Sequence, residues 1–230
     1  MRTDTGIIGF NEKIGGGFPE FSTILIKGPA GIGKTTFCNQ FIYQGLKKNE
    51  AAIYMSFNAP PEDVKENMKK FGWNIEGKIV LFIDVYSWQS GTMATEKYVI
   101  NDPADLNEFN IKIFKAIKEL SDKNLKRCCV DALSTLFVYI PSDLALKFVS
   151  SLFARLKTSK ITSLATLEKD VLDTRVVAIL ESLTDGTIDL GFDPTEGTQR
   201  LIRIVRMKNT KVSSLNWMEF EIRDNGIRVI

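Results

Sequence analysis

Gly28-Pro29-Ala30-Gly31-Ile32-Gly33-Lys34-Thr35 stands between two runs of opposite character. Before it, Thr23-Ile24-Leu25-Ile26 is apolar and β-branched and reads as a buried strand. After it, Phe37, Phe41, Ile42, Gly45 and Leu46 recur at helical spacing. The stretch fits G-x-x-x-x-G-K-[ST], and strand, loop and helix in that order are what this chemistry needs. Glycines at 28, 31 and 33 let backbone N–H groups converge on anionic oxygens, and the helix start adds the positive end of its dipole. Lys34 is placed to reach the outer phosphates of a nucleotide, and Thr35 to offer its hydroxyl to Mg²⁺. The cradle is expected to comprise Gly28, Pro29, Ala30, Gly31, Ile32, Gly33, Lys34, Thr35 and Thr36.

Outward from this motif the pattern alternates. Ala51–Phe57, Ile79–Asp84, Arg127–Asp131 and Ile161–Leu167 read as strands. Pro61 to about Lys70, Leu106–Leu120, Ser142–Leu156 and Val171–Leu183 read as helices. In the second of these, Leu106, Phe109, Ile113, Phe114, Ile117 and Leu120 are expected to share the buried face. Such alternation implies an α/β fold, a mostly parallel central sheet flanked by helices. The tail changes character: Thr187–Leu190, Leu201–Met207 and Trp217–Ile222 alternate like antiparallel strands, and Asn225-Gly226 signals a hairpin turn. Tyr86–Pro103 has no period and reads as a surface excursion. No repeat, low-complexity tract or linker is visible, so one domain is expected over residues 1–230.

Bulk numbers exclude several chemistries. The 230 residues are 44 % hydrophobic and 25 % charged, ample for a core. Thirty basic and 28 acidic side chains leave a net charge of +2, so no global field calls for nucleic acid or an acidic membrane. With no histidine there is no Ser-His-Asp triad and no imidazole acid–base catalysis. The three cysteines, Cys38, Cys128 and Cys129, have no zinc-site spacing and read as buried thiols in a reducing compartment. Nothing at the start resembles a signal peptide, and no apolar run approaches the ~20 residues of a membrane span. The expected location is the cytoplasm.

Hydrolysis needs more than a phosphate cradle: a support for Mg²⁺, a group that orients water, and often a positive charge from across an interface. Asp131 ends an apolar strand and is the natural Mg²⁺ partner of Thr35. At this point the chain resembles a family. Thr5-Gly6-Ile7, Gly15-Gly16-Gly17-Phe18-Pro19, the phosphate loop, Tyr54-Met55-Ser56-Phe57, Val130-Asp131-Ala132-Leu133-Ser134, Leu183-Thr184-Asp185-Gly186-Thr187-Ile188 and Arg206-Met207-Lys208-Asn209-Thr210 follow one another as in KaiC-like, single-domain ATPases of the RecA/RadA superfamily. The resemblance implies a RecA-type core, ATP or ADP with Mg²⁺, and homo-oligomeric rings or filaments with nucleotide near the subunit boundary.

The departures from that pattern are informative. The family ends its second strand in a glutamate pair, one of which polarises the attacking water; here the matching residues are Asn58 and Ala59. An amide cannot accept a proton as a carboxylate does, and losing such a base typically costs about 10²–10⁴-fold in rate. The expectation is a protein that binds ATP but turns it over slowly or not at all, with a regulatory or assembly-controlling role and an unidentified protein partner. The alternative is an active ATPase working on DNA as recombinase paralogues do; the near-neutral charge and lack of a basic arm disfavour it. Arg206 and Lys208 take the place of the family's Lys-Met-Arg in reversed order and are the expected trans charges. Glu168, at the end of the fifth strand, is the candidate phosphate sensor. Trp73 and Trp88 read as core residues rather than base-stacking platforms. Lys123, Lys126 and Arg127 are grouped as a small basic patch without a function of its own.

Overall fold

The computed structural model of the chain describes residues 1–89, 94–195 and 197–230. Two short strands, β1 (Arg2–Thr3) and β2 (Phe18–Pro19), pair antiparallel beside the main sheet. Then come β3 (Thr23–Gly28), α1 (Lys34–Lys47), β4 (Ala51–Ser56), α2 (Pro61–Lys70), β5 (Val80–Asp84), β6 (Tyr98–Val99), α3 (Leu106–Glu119) and β7 (Leu125–Asp131). After β7 follow α4 (Leu136–Tyr139), α5 (Ser142–Thr158), β8 (Thr162–Glu168), α6 (Thr174–Leu183), β9 (Gly186–Phe192), β10 (Arg200–Met207), β11 (Met218–Arg223) and β12 (Gly226–Val229). Ten strands form one sheet in the order β12-β11-β10-β9-β3-β8-β7-β4-β5-β6. Every neighbouring pair from β9 to β6 is parallel, and the three pairs from β9 to β12 are antiparallel. The expected α/β class is therefore the observed one.

Side chains alternate along the strands, and the two faces feed separate cores. Leu25, Ile53, Met55 and Val130 face α3, α5 and α6 through Phe109, Phe148, Val149 and Leu180. Ile24, Ile26, Ala52 and Tyr54 face the opposite side, against Phe37, Phe41 and Ile42 of α1 and Met68 of α2. Buried on both faces, β4 has no exposed position, and its sequence is apolar up to the closing Ser56.

Local chemistry sets the boundaries. Pro61 opens α2 with Glu62 and Asp63 in the first turn. Asp105 caps α3 by accepting from the N–H groups of Asn107 and Glu108. Asp173 caps α6 in the same way, so that helix begins at Thr174 and not at Val171 as the periodicity suggested. Phe114 also departs from expectation: it is 57 % exposed, because one residue beyond Ile113 lies about 100° further round the helix. Between β5 and α3 the excursion carries a 3-10 turn at Ser87–Gln89 and the strand β6; its residues 90–93 lie outside those described.

The last hairpin has its turn one residue earlier than the Asn-Gly signal implied. Arg223 pairs with Gly226, so Asp224 and Asn225 form the turn and Gly226 opens β12 with φ 111°. An added Cβ there would lie 2.5 Å from Gln40 Oε1 and 2.6 Å from Trp73 Cζ2, so the position tolerates no side chain. Gln40, on α1, uses its whole amide in this corner. It donates to Gly6 O at 2.8 Å and Ile227 O at 3.2 Å, and accepts from Ile227 N–H at 2.6 Å. One side chain thus ties the N-terminal segment, the helix after the phosphate loop and the last strand together.

Candidate functional site

β3 lies between β8 and β9, parallel to both, so the phosphate loop leaves from the middle of the sheet at its carboxyl edge. That is the edge at which open α/β sheets bind ligands. Gly33 takes φ 116°, and a Cβ there would come 2.7 Å from Ile222 Cδ1, so the tail strand β11 walls one side of the loop. No acidic residue stands in the first turn of α1, which leaves the positive helix end unopposed for an anion.

Lys34 is buried and folded back over the loop. Its Nζ donates to Gly28 O at 2.8 Å and Pro29 O at 2.7 Å, and pairs with Glu168 Oε2 at 2.8 Å. The hydroxyl of Thr35 donates to Asp131 Oδ2 at 2.8 Å. Residues 96 apart in sequence thus meet at the mouth of the cradle. Asp131 is further held by two hydroxyls that sequence reading missed. Tyr54 OH donates to Oδ2 at 3.0 Å and Thr166 Oγ1 to Oδ1 at 2.6 Å. Burial, followed by the neighbouring Asp131 charge, pushes the Tyr54 phenol well above its ordinary value, so it stays a donor. The hydroxyl–carboxylate pair Thr35–Asp131 is the arrangement that can take a hard cation arriving on a phosphate, which needs only one or two protein oxygens. No cluster of three or more His, Cys, Asp or Glu able to hold a metal ion occurs among the described residues.

Asn58 follows β4, and its Oδ1 accepts from Thr135, whose turn follows β7. Ser56 Oγ donates to Ala59 O at 2.6 Å and fixes the bend between them. Glu62 accepts from Thr95; that hydrogen bond holds its carboxyl below the ordinary value. Asp63 stays on the exposed first turn of α2.

Arg206 and Lys208, expected as trans charges, both reach the turn after α6 of their own chain. Arg206 Nη2 donates to Glu181 O, to Thr184 O at 2.6 Å and to Thr184 Oγ1 at 3.2 Å, capping the helix C-terminus of its own chain. Lys208 lies 3.3 Å from Asp185 Oδ1, shares that carboxylate with Lys157, and keeps 55 % of its side chain exposed. Burial alone would raise the Asp185 carboxyl, but Lys157, the Thr23 N–H and Lys208 together hold it below its ordinary value.

The grouping of Arg127 with Lys123 and Lys126 is corrected. Arg127 is 1 % exposed; its Nε meets Glu50 Oε2 at 2.5 Å and its Nη1 donates to Asp4 O at 2.8 Å and Phe41 O at 2.7 Å. Trp73 stacks on Phe71 at 4.7 Å and Tyr43 at 5.8 Å, and Trp88 meets Tyr139 edge-on at 5.3 Å, so both pack against protein. Cys38, Cys128 and Cys129 are free and buried, as expected. No helix among the described residues is long and apolar enough to cross a membrane.

Comparison with known proteins agrees with this geometry. A UPF0273 protein of Thermotoga maritima is 34 % identical over 98 % of this chain and 94 % of its own length. A second, from Methanocaldococcus jannaschii, is 34 % identical over 99 % and 96 %. The crystal structure of a KaiC-like protein from the hyperthermophilic archaeon Pyrococcus horikoshii superposes with a TM-score of 0.82 at 27 % identity, covering 100 % of this chain and 99 % of that one. The model of the KaiC ATPase family matches residues 3–230, and the chain accordingly belongs to the KaiC-like branch of the RecA-type ATPases.

Proposed function

We propose that the chain binds ATP and ADP with Mg²⁺ in the cradle from Gly28 to Thr36, and that bound nucleotide controls its assembly or partner contacts while being hydrolysed slowly or not at all. One observation carries the reading: the Thr35 hydroxyl and the Asp131 carboxylate meet at 2.8 Å beside the loop. Backbone N–H groups of the loop and the start of α1 would hold the phosphates, Lys34 would neutralise the outer ones, and Thr35 and Asp131 would hold the cation. That cation, when bound, neutralises charge on the phosphate oxygens. Slow turnover follows from Asn58 and Ala59: the amide at the end of β4 can hold a water but cannot take its proton. In an assembly, Lys208 is the better of the two trans candidates, since Arg206 is spent on the carbonyls of Glu181 and Thr184 while Lys208 is half exposed.

The test pairs affinity with turnover on one sample. Lys34→Ala should weaken ADP and ATP binding by about tenfold or more, the scale of a charge-assisted contact worth ~1.5–3 kcal/mol. Wild-type turnover should fall well below about 1 s⁻¹. Asn58→Glu, with Ala59→Glu beside it, should raise turnover at saturating Mg²⁺-ATP by about tenfold, ~1.4 kcal/mol of barrier. Ordinary ATPase rates in the wild type would sink the slow-turnover reading and leave nucleotide binding standing.

A further inference from the structure

Sheet register puts a carboxylate where a phosphate is expected. β3 and β8 pair with Gly28 directly opposite Glu168, so the last residue of β8 is level with the first residue of the cradle. Its backbone is pinned there: Glu168 N–H donates to Ser134 Oγ at 3.3 Å, and Lys169 N–H to Gly28 O at 3.0 Å. The carboxylate takes one of the three N–H donors of Lys34 at 2.8 Å. Gly28 O and Pro29 O take the other two. All three donors of Lys34 are thus engaged within the chain. Two of its partners are carbonyls of the loop itself. The third, Glu168, is the more exposed member of the pair, at 24 % against 7 % for the lysine.

We infer that Glu168 is a resident counter-anion that competes with phosphate for Lys34 and so makes the site discriminate against nucleotide arriving without its cation. This rests on the reading of residues 28–36 as the nucleotide cradle. A bare diphosphate must break the Lys34–Glu168 pair and then sit beside the released carboxylate. Repulsion between the two grows with the negative charge the ligand brings, and a Mg²⁺-complexed nucleotide brings less. The lysine alone would favour whichever form carries more charge; the glutamate offsets that preference.

Calorimetric titration of ADP tests this, once in EDTA and once with excess Mg²⁺, on wild type, Glu168→Gln, Glu168→Asp and Lys34→Ala. Glu168→Gln should bind bare ADP about two- to fivefold more tightly than wild type, the scale of one partly exposed charge pair. Its gain for Mg²⁺-ADP should be smaller, so the gap between the two forms narrows. Glu168→Asp keeps the charge but withdraws it by one methylene and should fall between; it stands in should the glutamine variant not fold. Bare-ADP affinity unchanged or weakened in the Glu168 variants, or an equal gain for both forms, overturns the inference when Lys34→Ala has lost affinity. Wild-type affinity in Lys34→Ala overturns the cradle reading itself.

Discussion

Tyr54 and Thr166 hold Asp131 from either side, and neither is legible in the chain as a site residue. Lys34, Thr35 and Asp131 can be found in the sequence because motif spacing and a strand-ending acid mark them. Tyr54 and Thr166 look like ordinary residues of apolar strands. Only lateral register reveals them, since β4 and β8 flank β7 in the sheet. Tyr54→Phe removes the 3.0 Å contact to Asp131 while keeping the ring that packs on Phe82. The variant should fold with a loss of about 1 kcal/mol, the net worth of one hydrogen bond. It should need several-fold more Mg²⁺ to bind ATP, because the carboxylate is freed from one of its fixed partners. Titrating Mg²⁺ at constant ATP measures this; an unchanged Mg²⁺ midpoint would show that Thr35 and Thr166 suffice to orient Asp131.

The elements were more legible than the contacts between them. The strands and helices around the cradle follow from period, caps and turn residues, with errors of a few residues where a cap overrode the apolar pattern, as Asp173 did. Strand order, and the role of Arg127 that depends on it, could not be read, because lateral neighbours come from distant sequence. Arg127 on β7 joins the N-terminal segment to α1, and Asp4 completes that junction. Asp4 accepts from Gly6 N–H, Asn11, Gln44 and Lys48. Burial acts to raise its carboxyl, but Lys48 and the other donors outweigh it and hold it well below the ordinary range. A depressed native pKa stabilises the fold fully above the unfolded value, about 3.9. That stability is lost as pH falls through the native value. Asp4→Asn should therefore lower the melting temperature at pH 7, and the difference from wild type should shrink below about pH 4. A difference that persists undiminished at low pH would mean the contacts matter through shape and not through charge.

At the scale of the whole molecule the expectation is self-association governed by nucleotide. The Arg206–Met207–Lys208 segment was legible as a basic motif, but its engagement with the 181–185 turn was not, since only the pairing of β10 with β9 brings that turn beside it. Sedimentation with and without Mg²⁺-ATP should show a larger species when nucleotide is present. Lys208→Ala should weaken that association while leaving monomer nucleotide affinity unchanged. A strict monomer under all conditions would leave Lys208 as a surface partner of Asp185 and nothing more.

The Gln40 junction bears on how the protein comes into being. The loop and the helix behind it are synthesised early, yet the strand that accepts from and donates to Gln40 lies 187 residues further on. Until that strand leaves the ribosome, the Gln40 amide lacks its two contacts to Ile227. The corner beneath the loop's helix thus closes only when residues 187 positions further along the chain are in place. A chain halted after β11 would carry every residue of the cradle, with α1 already packed on the central strands but lacking its β12 edge, and should capture nucleotide less well than the chain with β12 in place.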